Sequence, residues 1–197
     1  MEITQSGMYR LDKNFLQSGG INVSAINPKT IKIYGNNGFE VPYNNCIDYP
    51  NDPMENSIYV EGEADGVFND NDYVLFYGQG ATEWRYDSTS STYFHYQNPY
   101  SKANYYWITF GGSNGLRMQT DISPSVPNAF SPQSFIDRTF DEPEINNLGA
   151  TGLLWVNQRI GLTDNFSFNK DLKGYIDGTN VNLRLRLGNG SSGINYF

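Results

Sequence analysis

Between residues 61 and 72 the chain reads EGEADGVFNDND, with acidic and amide side chains at the spacing by which a calcium loop wraps its ion. Glu61, Glu63 and Asp65 take positions one, three and five, Gly66 the sharp turn at six, the Val67 carbonyl seven, and Asn69 and Asp72 nine and twelve. A hard cation needs several oxygens converging on one point, and glycine lets the backbone fold around them without a Cβ in the way. Two features work against an ion. Glutamates stand where shorter aspartates are usual, and the last ligand is Asp72 rather than a longer bidentate glutamate. The flanks, NSIYV before and DYVLFYG after, are β-branched and aromatic, so they predict strands where a helix-loop-helix calcium motif has helices. Two readings stand: an acidic, glycine-bearing loop joining antiparallel strands, which the flanks favour, and a weak calcium site. In the second, Asp65, Asn69 and Asp72 are the first side-chain ligands. Glu61 and Glu63 are further candidates, although alternation would put them on the face of the preceding strand that carries Tyr59.

Nucleophilic chemistry would have to come from Cys46 and His95, the one cysteine and the one histidine. Cys46 lies in YNNCIDYP, without a glycine elbow or helix N-terminus to lower a thiol pKa, and His95 lies in an aromatic, strand-like run where packing is the usual role. No catalytic residue is assigned. No CxxC, HExxH, phosphate-binding or dinucleotide fingerprint occurs, and a lone histidine and cysteine do not make a zinc site. Asp141, Glu142 and Glu144 are close enough in sequence for carboxylate chemistry, yet read as a solvated acidic loop. Trp84, Tyr86, Tyr93 and Phe94 offer ring faces that suit sugars; packing on a sheet is the commoner use of such clusters. A carbohydrate- or surface-binding β-sandwich module is therefore the alternative functional class.

The elements that must position these groups are strands. Aromatic residues make up 15% of the 197 residues and charged ones only 17%, a balance that suits sheets better than helical bundles. The expected fold is mainly β, an antiparallel, jelly-roll-like β-sandwich with one short N-terminal helix. The formal charge of −8, with no cluster of lysine or arginine, excludes nucleic acid as a partner. No apolar run is long enough to insert directly into a membrane, and one cysteine permits no internal disulfide.

Along the chain, GMYRL predicts a strand, Asp12 an N-cap for a helix through KNFLQ, and Gly19 and Gly20 its stop. Asn27 and Pro28 begin a turn, Ile31, Ile33 and Val41 are expected to face one way, and Asn36, Asn37 and Gly38 to supply positive φ in a tight reversal. GQGATEWRYDSTSST reads as a polar loop. In NYYWITF, Tyr105, Trp107 and Thr109 alternate with Tyr106, Ile108 and Phe110, predicting a strand covered on both faces. Residues 121–135, rich in proline and serine, read as a crossing segment between an N-terminal β region, 1–120, and further sandwich strands over 136–197. Those strands are GLLWVNQRIG, NFSFN and NVNLRLRLG, the last with Val181, Leu183, Leu185 and Leu187 on one face and Arg184 and Arg186 on the other.

Four phrases in order, SGMYRLDKNFLQSGG, NPKTIKIYGNNG, IYVEGEADGVFNDNDYVLFYGQG and NPYSKANYYWITFG, resemble the sortases of the type IX secretion system, relatives of the gingipain-type cysteine peptidases. The resemblance covers residues 6–111 and is looser from LGATGLLWVNQRIG onward. It implies a non-catalytic N-terminal part lying upstream of a peptidase domain that carries the family's histidine and cysteine. His95 and Cys46 do not match those positions, so no catalytic residue carries over. The resemblance further implies a cell-surface protein at the outer membrane of a Gram-negative bacterium, its export signal removed. The intact protein would be a cysteine endopeptidase and transpeptidase acting on secreted cargo, in contact with other secretion components. The chain is expected to stop short of that peptidase domain.

Overall fold

Asp12 does two jobs at the first strand-to-helix junction. It ends β2 (Gly7–Asp12), and its carboxylate accepts a 2.9 Å hydrogen bond from the Phe15 amide, capping α1 (Lys13–Ser18). The helix stops at Gly19, and Gly20 takes the left-handed φ of +81° that glycine adopts without strain. Asn27 likewise caps a single 3-10 turn, Pro28–Thr30, by accepting from the Lys29 amide. In the computed structural model, residues 1–44, 46–121, 132–147, 150, 152, 155–157, 160, 161, 164, 165, 167 and 169–187 are described. The chain divides into two units, Met1–Ile136 and Asp137–Phe197.

The first unit is antiparallel β. Its strands are β1 (Glu2–Ile3), β2, β3 (Lys32–Tyr34), β4 (Glu55–Asn56), β5 (Tyr59–Glu61), β6 (Tyr73–Gly78), β7 (Thr82–Asp87), β8 (Thr92–Gln97), β9 (Asn104–Tyr105) and β10 (Trp107–Thr109). One sheet runs β2-β6-β5 and another β10-β3-β4, while β1 pairs with β9 and β7 with β8. Alternation sets which side chains go inward: Leu11, Val74 and Val60 form one cross-strand row in the first sheet, with Phe76 two residues on. Ile33 faces inward from the second sheet, and Ile31, Ile58, Leu16, Val23 and Phe68 complete a single core with them. Each such side chain contributes about 1.5–3 kcal/mol on burial. The two sheets packed on one core make the unit sandwich-like, as the alternation in the sequence predicts.

Four expectations fail here. Val41 is exposed rather than facing inward with Ile31 and Ile33. Asn36, Asn37 and Gly38 do not have positive φ. The chain instead leaves β3 through a long loop before β4 returns beside it, with Ile33 opposite Asn56. Gly38 is required for a different reason: a Cβ there would stand 2.2 Å from the Gly80 carbonyl oxygen. The stretch expected to be a polar loop forms β7, whose Trp84 and Tyr86 sit opposite His95 and Tyr93 on β8. Finally, Tyr106 and Ile108 turn inward as alternation requires, but Tyr105, Trp107 and Phe110 are exposed, so this strand is covered on one face only.

In the second unit β11 (Asn146–Asn147) pairs with β12 (Trp155–Val156), and the Trp155 indole donates to the Gly152 carbonyl. Residues 180–187 join no ladder among the described residues, and Val181, Leu183, Leu185 and Leu187 are exposed. Of the strand expected over NFSFN, Asn165, Ser167 and Asn169 join no ladder among the described residues, while Phe166, Phe168 and most of the proline- and serine-rich segment lie outside the described residues. No helix among the described residues is long and apolar enough to cross a membrane.

Candidate functional site

The acidic loop connects β5 to β6, which are antiparallel neighbours with Glu61 opposite Tyr73. It is thus a connection between strands, as its flanks predict. Gly62 turns the chain at φ +80°, a 3-10 turn spans Glu63–Asp65, and Gly66 turns it again at φ +81°. Both glycines occupy the left-handed region that a Cβ disfavours. Gly62 is doubly constrained, because a Cβ there would come within 1.9 Å of Asp72 Oδ1. Asp72, 6% exposed, lies under the turn, its Oδ2 accepting 2.7 Å from the Asn69 amide. Asp65 accepts from the Val67 amide at one oxygen and from Asn69 Nδ2 at the other. Phe68 inserts between these bonds into the core.

Asp65, Asn69 and Asp72 are therefore brought together, joined by hydrogen bonds to one another and to the loop backbone. Glu61 and Glu63 are not part of this group. Glu61 stays at the end of β5, where its carboxylate accepts from the Tyr59 hydroxyl and raises the Tyr59 pKa. Glu63 departs from the alternation expected of it, because the 3-10 turn swings it away to Arg117, Nε to Oε2 2.8 Å.

Arg117 is the residue that sequence reasoning missed. Its guanidinium donates to the Pro28, Lys29, Ile31 and Leu116 carbonyls as well as to Glu63. It joins the acidic loop to the carbonyls at the C-terminal end of the Pro28–Thr30 turn, which a planar five-donor fork can do and an ammonium cannot. Two lysines complete the set: Lys13 pairs with Asp70 at 2.5 Å, and Lys29 donates to the Ala64 carbonyl. The Lys13 ammonium holds the Asp70 carboxyl below its ordinary range. The signal lay in the imbalance of residues 61–72, with five acids and no cation, which obliges either an ion or cations from distant segments. Here Lys13 and Arg117 answer two of the five acids, Asp70 and Glu63. Among the described residues no three His, Cys, Asp or Glu side chains are grouped as a metal site requires.

The remaining candidates belong to other segments of the chain. Cys46 is exposed on the segment between β3 and β4, its backbone amide donating to Asn44 Oδ1. His95 lies on β8 against Trp84, ring centroids 5.2 Å apart, with burial lowering its pKa. On the opposite face of that hairpin, Arg85 sits over the rings of Phe39 and Tyr96 and pairs with Glu83. Asp141, Glu142 and Glu144 lie in the second unit, with Asp141 and Glu144 not engaged in any ion pair among the described residues.

No protein-family model matches the chain, and no curated protein matches it. Among solved structures the chain is similar to dimeric latent PorU from Porphyromonas gingivalis, with a TM-score of 0.47 and 23% sequence identity. The similarity covers 60% of this chain and 10% of that one, so the chain spans a small part of that protein's length.

Proposed function

We propose that the chain is a non-catalytic β module of a type IX secretion sortase, a cysteine endopeptidase and transpeptidase of the bacterial cell surface. In this role it helps fold, position or shield a peptidase domain farther along the same polypeptide. Cargo proteins and other secretion components would be met through that domain.

One observation carries the reading: the phrase most specific to the resemblance, EGEADGVFNDNDYVLFYGQG, is engaged throughout in building the fold. Gly62 makes room for Asp72, Glu63 binds Arg117, and Phe68, Val74 and Phe76 enter the core. Gly78 lies against Tyr9 and Ile3, Gly80 against the Thr4 backbone, and the Gln79 amide donates to the Tyr106 hydroxyl. Residues held for folding in this way mark a scaffold rather than a reacting centre.

The test has two arms. The purified chain, incubated with peptides carrying cargo C-terminal signals, is expected to cleave none of them. In the longer polypeptide, Gly62→Ala is expected to lower the yield of folded peptidase while leaving turnover per folded molecule unchanged. Cleavage by the chain alone, abolished by Cys46→Ala, would overturn the proposal.

A further inference from the structure

The segment that follows β3 and the segment that joins β8 to β10 enclose an open cleft of about 280 Å³. Its walls are amides whose hydrogen bonds are already committed. Asn98 donates to the Gly38 carbonyl and accepts from the Tyr100 and Ser101 amides. Asn104 donates to the Asn36 and Gln79 carbonyls and accepts from the Tyr105 amide. Walls fixed in this way do not have to be ordered when a ligand enters, which lowers the entropy lost on binding.

The mouth has a different character. Tyr49, Tyr105 and Trp107 line it. Tyr105 and Trp107 point outward on either side of the buried Tyr106, and are 50% and 55% exposed. Among the described residues, the Asn37 amide, Asn36 Nδ2, the Tyr49 and Tyr105 hydroxyls and the Trp107 indole N–H have no partner within the chain. No lysine, arginine, histidine, aspartate or glutamate lines the cleft, in a chain whose formal charge is −8.

These three features select a ligand chemistry. A charged group would lose hydration here and meet no opposite charge, so it is disfavoured. A wholly apolar ligand would cover the free amide, hydroxyl and indole groups without satisfying them. A ring with C–H bonds on one face and hydroxyls around its edge suits both the aromatic faces and the free donors. We propose that this cleft binds an uncharged saccharide, one sugar ring stacking on Trp107 with its hydroxyls reaching Asn36, Asn37 and Tyr49. This goes beyond the scaffold role and does not depend on it. The cluster that sequence suggested for sugars, Trp84, Tyr86, Tyr93 and Phe94, lies on the β7–β8 hairpin, outside the cleft.

The test uses the whole chain on an array of neutral oligosaccharides, with uronate- and sulfate-bearing ones beside them. Affinity for a retained glycan is read by titration calorimetry, on the unaltered chain and on each single variant. Neutral glycans are expected to bind and acidic ones not. Trp107→Ala should weaken binding about tenfold or more, from the lost stacking and burial. Asn37→Ala changes an exposed side chain without hydrogen bonds in the fold, so it should weaken binding with the melting temperature unmoved. Trp84→Ala should leave affinity unchanged. The proposal is overturned by retention of no neutral glycan, by equal retention of acidic ones, by affinity unchanged in both Trp107→Ala and Asn37→Ala, or by loss on Trp84→Ala.

Discussion

Replacing Gly62 with alanine tests the acidic loop at its tightest point, and Gly66 provides a matched control. The two glycines have φ of +80° and +81°, so an alanine at either meets the same left-handed strain, about 1–2 kcal/mol. Gly66 has open space where the methyl would go, and its cost should end there. At Gly62 the methyl would lie 1.9 Å from Asp72 Oδ1 and 2.3 Å from its Cγ, a distance that no side-chain adjustment in place absorbs. Asp72 must leave, and the Asn69 amide loses its acceptor. An unsatisfied, partly buried donor costs about 1–3 kcal/mol more, so Gly62→Ala should destabilise by about 2–5 kcal/mol against about 1–2 for Gly66→Ala. Urea unfolding of the whole chain, followed by tryptophan fluorescence, measures both. Adding Asp72→Ala to Gly62→Ala removes the clashing carboxylate, so the double variant should be more stable than the sum of the single changes predicts, by about 1–3 kcal/mol. Equal destabilisation by the two glycine variants, or strict additivity in the cycle, would refute the reasoning.

Arg117→Ala should cost about 2–4 kcal/mol, because it leaves Glu63 unpaired and removes the donor shared by four carbonyls. Arg117→Lys should recover less than half of this, since one ammonium cannot span the same acceptors; full recovery in a denaturation curve would show that charge alone matters. The Asp70 carboxyl is held below its ordinary 3.8 by the Lys13 hydrogen bond, so its folded pKa is depressed. Its contribution is therefore present above the unfolded value and lost as pH falls through the folded one, so Asp70→Asn should flatten the acid limb of the melting profile below about pH 4. An unchanged limb would mean that Lys13 and Asp70 do not interact in solution. With Lys13, Lys29 and Arg117 serving the acidic loop, its melting temperature should be the same in millimolar calcium and in chelator. A calcium-dependent rise abolished by Asp72→Asn would instead show that Asp65, Asn69 and Asp72 exchange their mutual bonds for an ion.

What could be read from the sequence was whatever depends on neighbours in the chain. Asp12 caps a helix that starts at the next residue, and the alternation of Leu11 in β2, Val60 in β5 and Val74 and Phe76 in β6 already sorts inner from outer face. The failures share the opposite cause. Gly38 looked like a turn residue because Asn-Gly pairs usually are; its actual constraint is the Gly80 carbonyl, forty-two positions away. Thr82–Asp87 looked like a loop because its polar residues outnumber its apolar ones, yet Trp84 and Tyr86 gain cross-strand partners only once β8 lies beside them. The acidic loop combines both cases. Its glycines and its order of carboxylates are local and were legible, while the cation that answers Glu63 comes from Arg117, fifty-four residues later, across a contact that no local pattern encodes. A stretch with calcium-loop spacing is thus an unbalanced charge looking for a partner, and the fold decides whether that partner is an ion or a guanidinium. In this chain, the same turn that lets Gly62 pass over Asp72 swings Glu63 onto Arg117, so a single glycine conformation determines both how the loop closes and which cation pairs with Glu63.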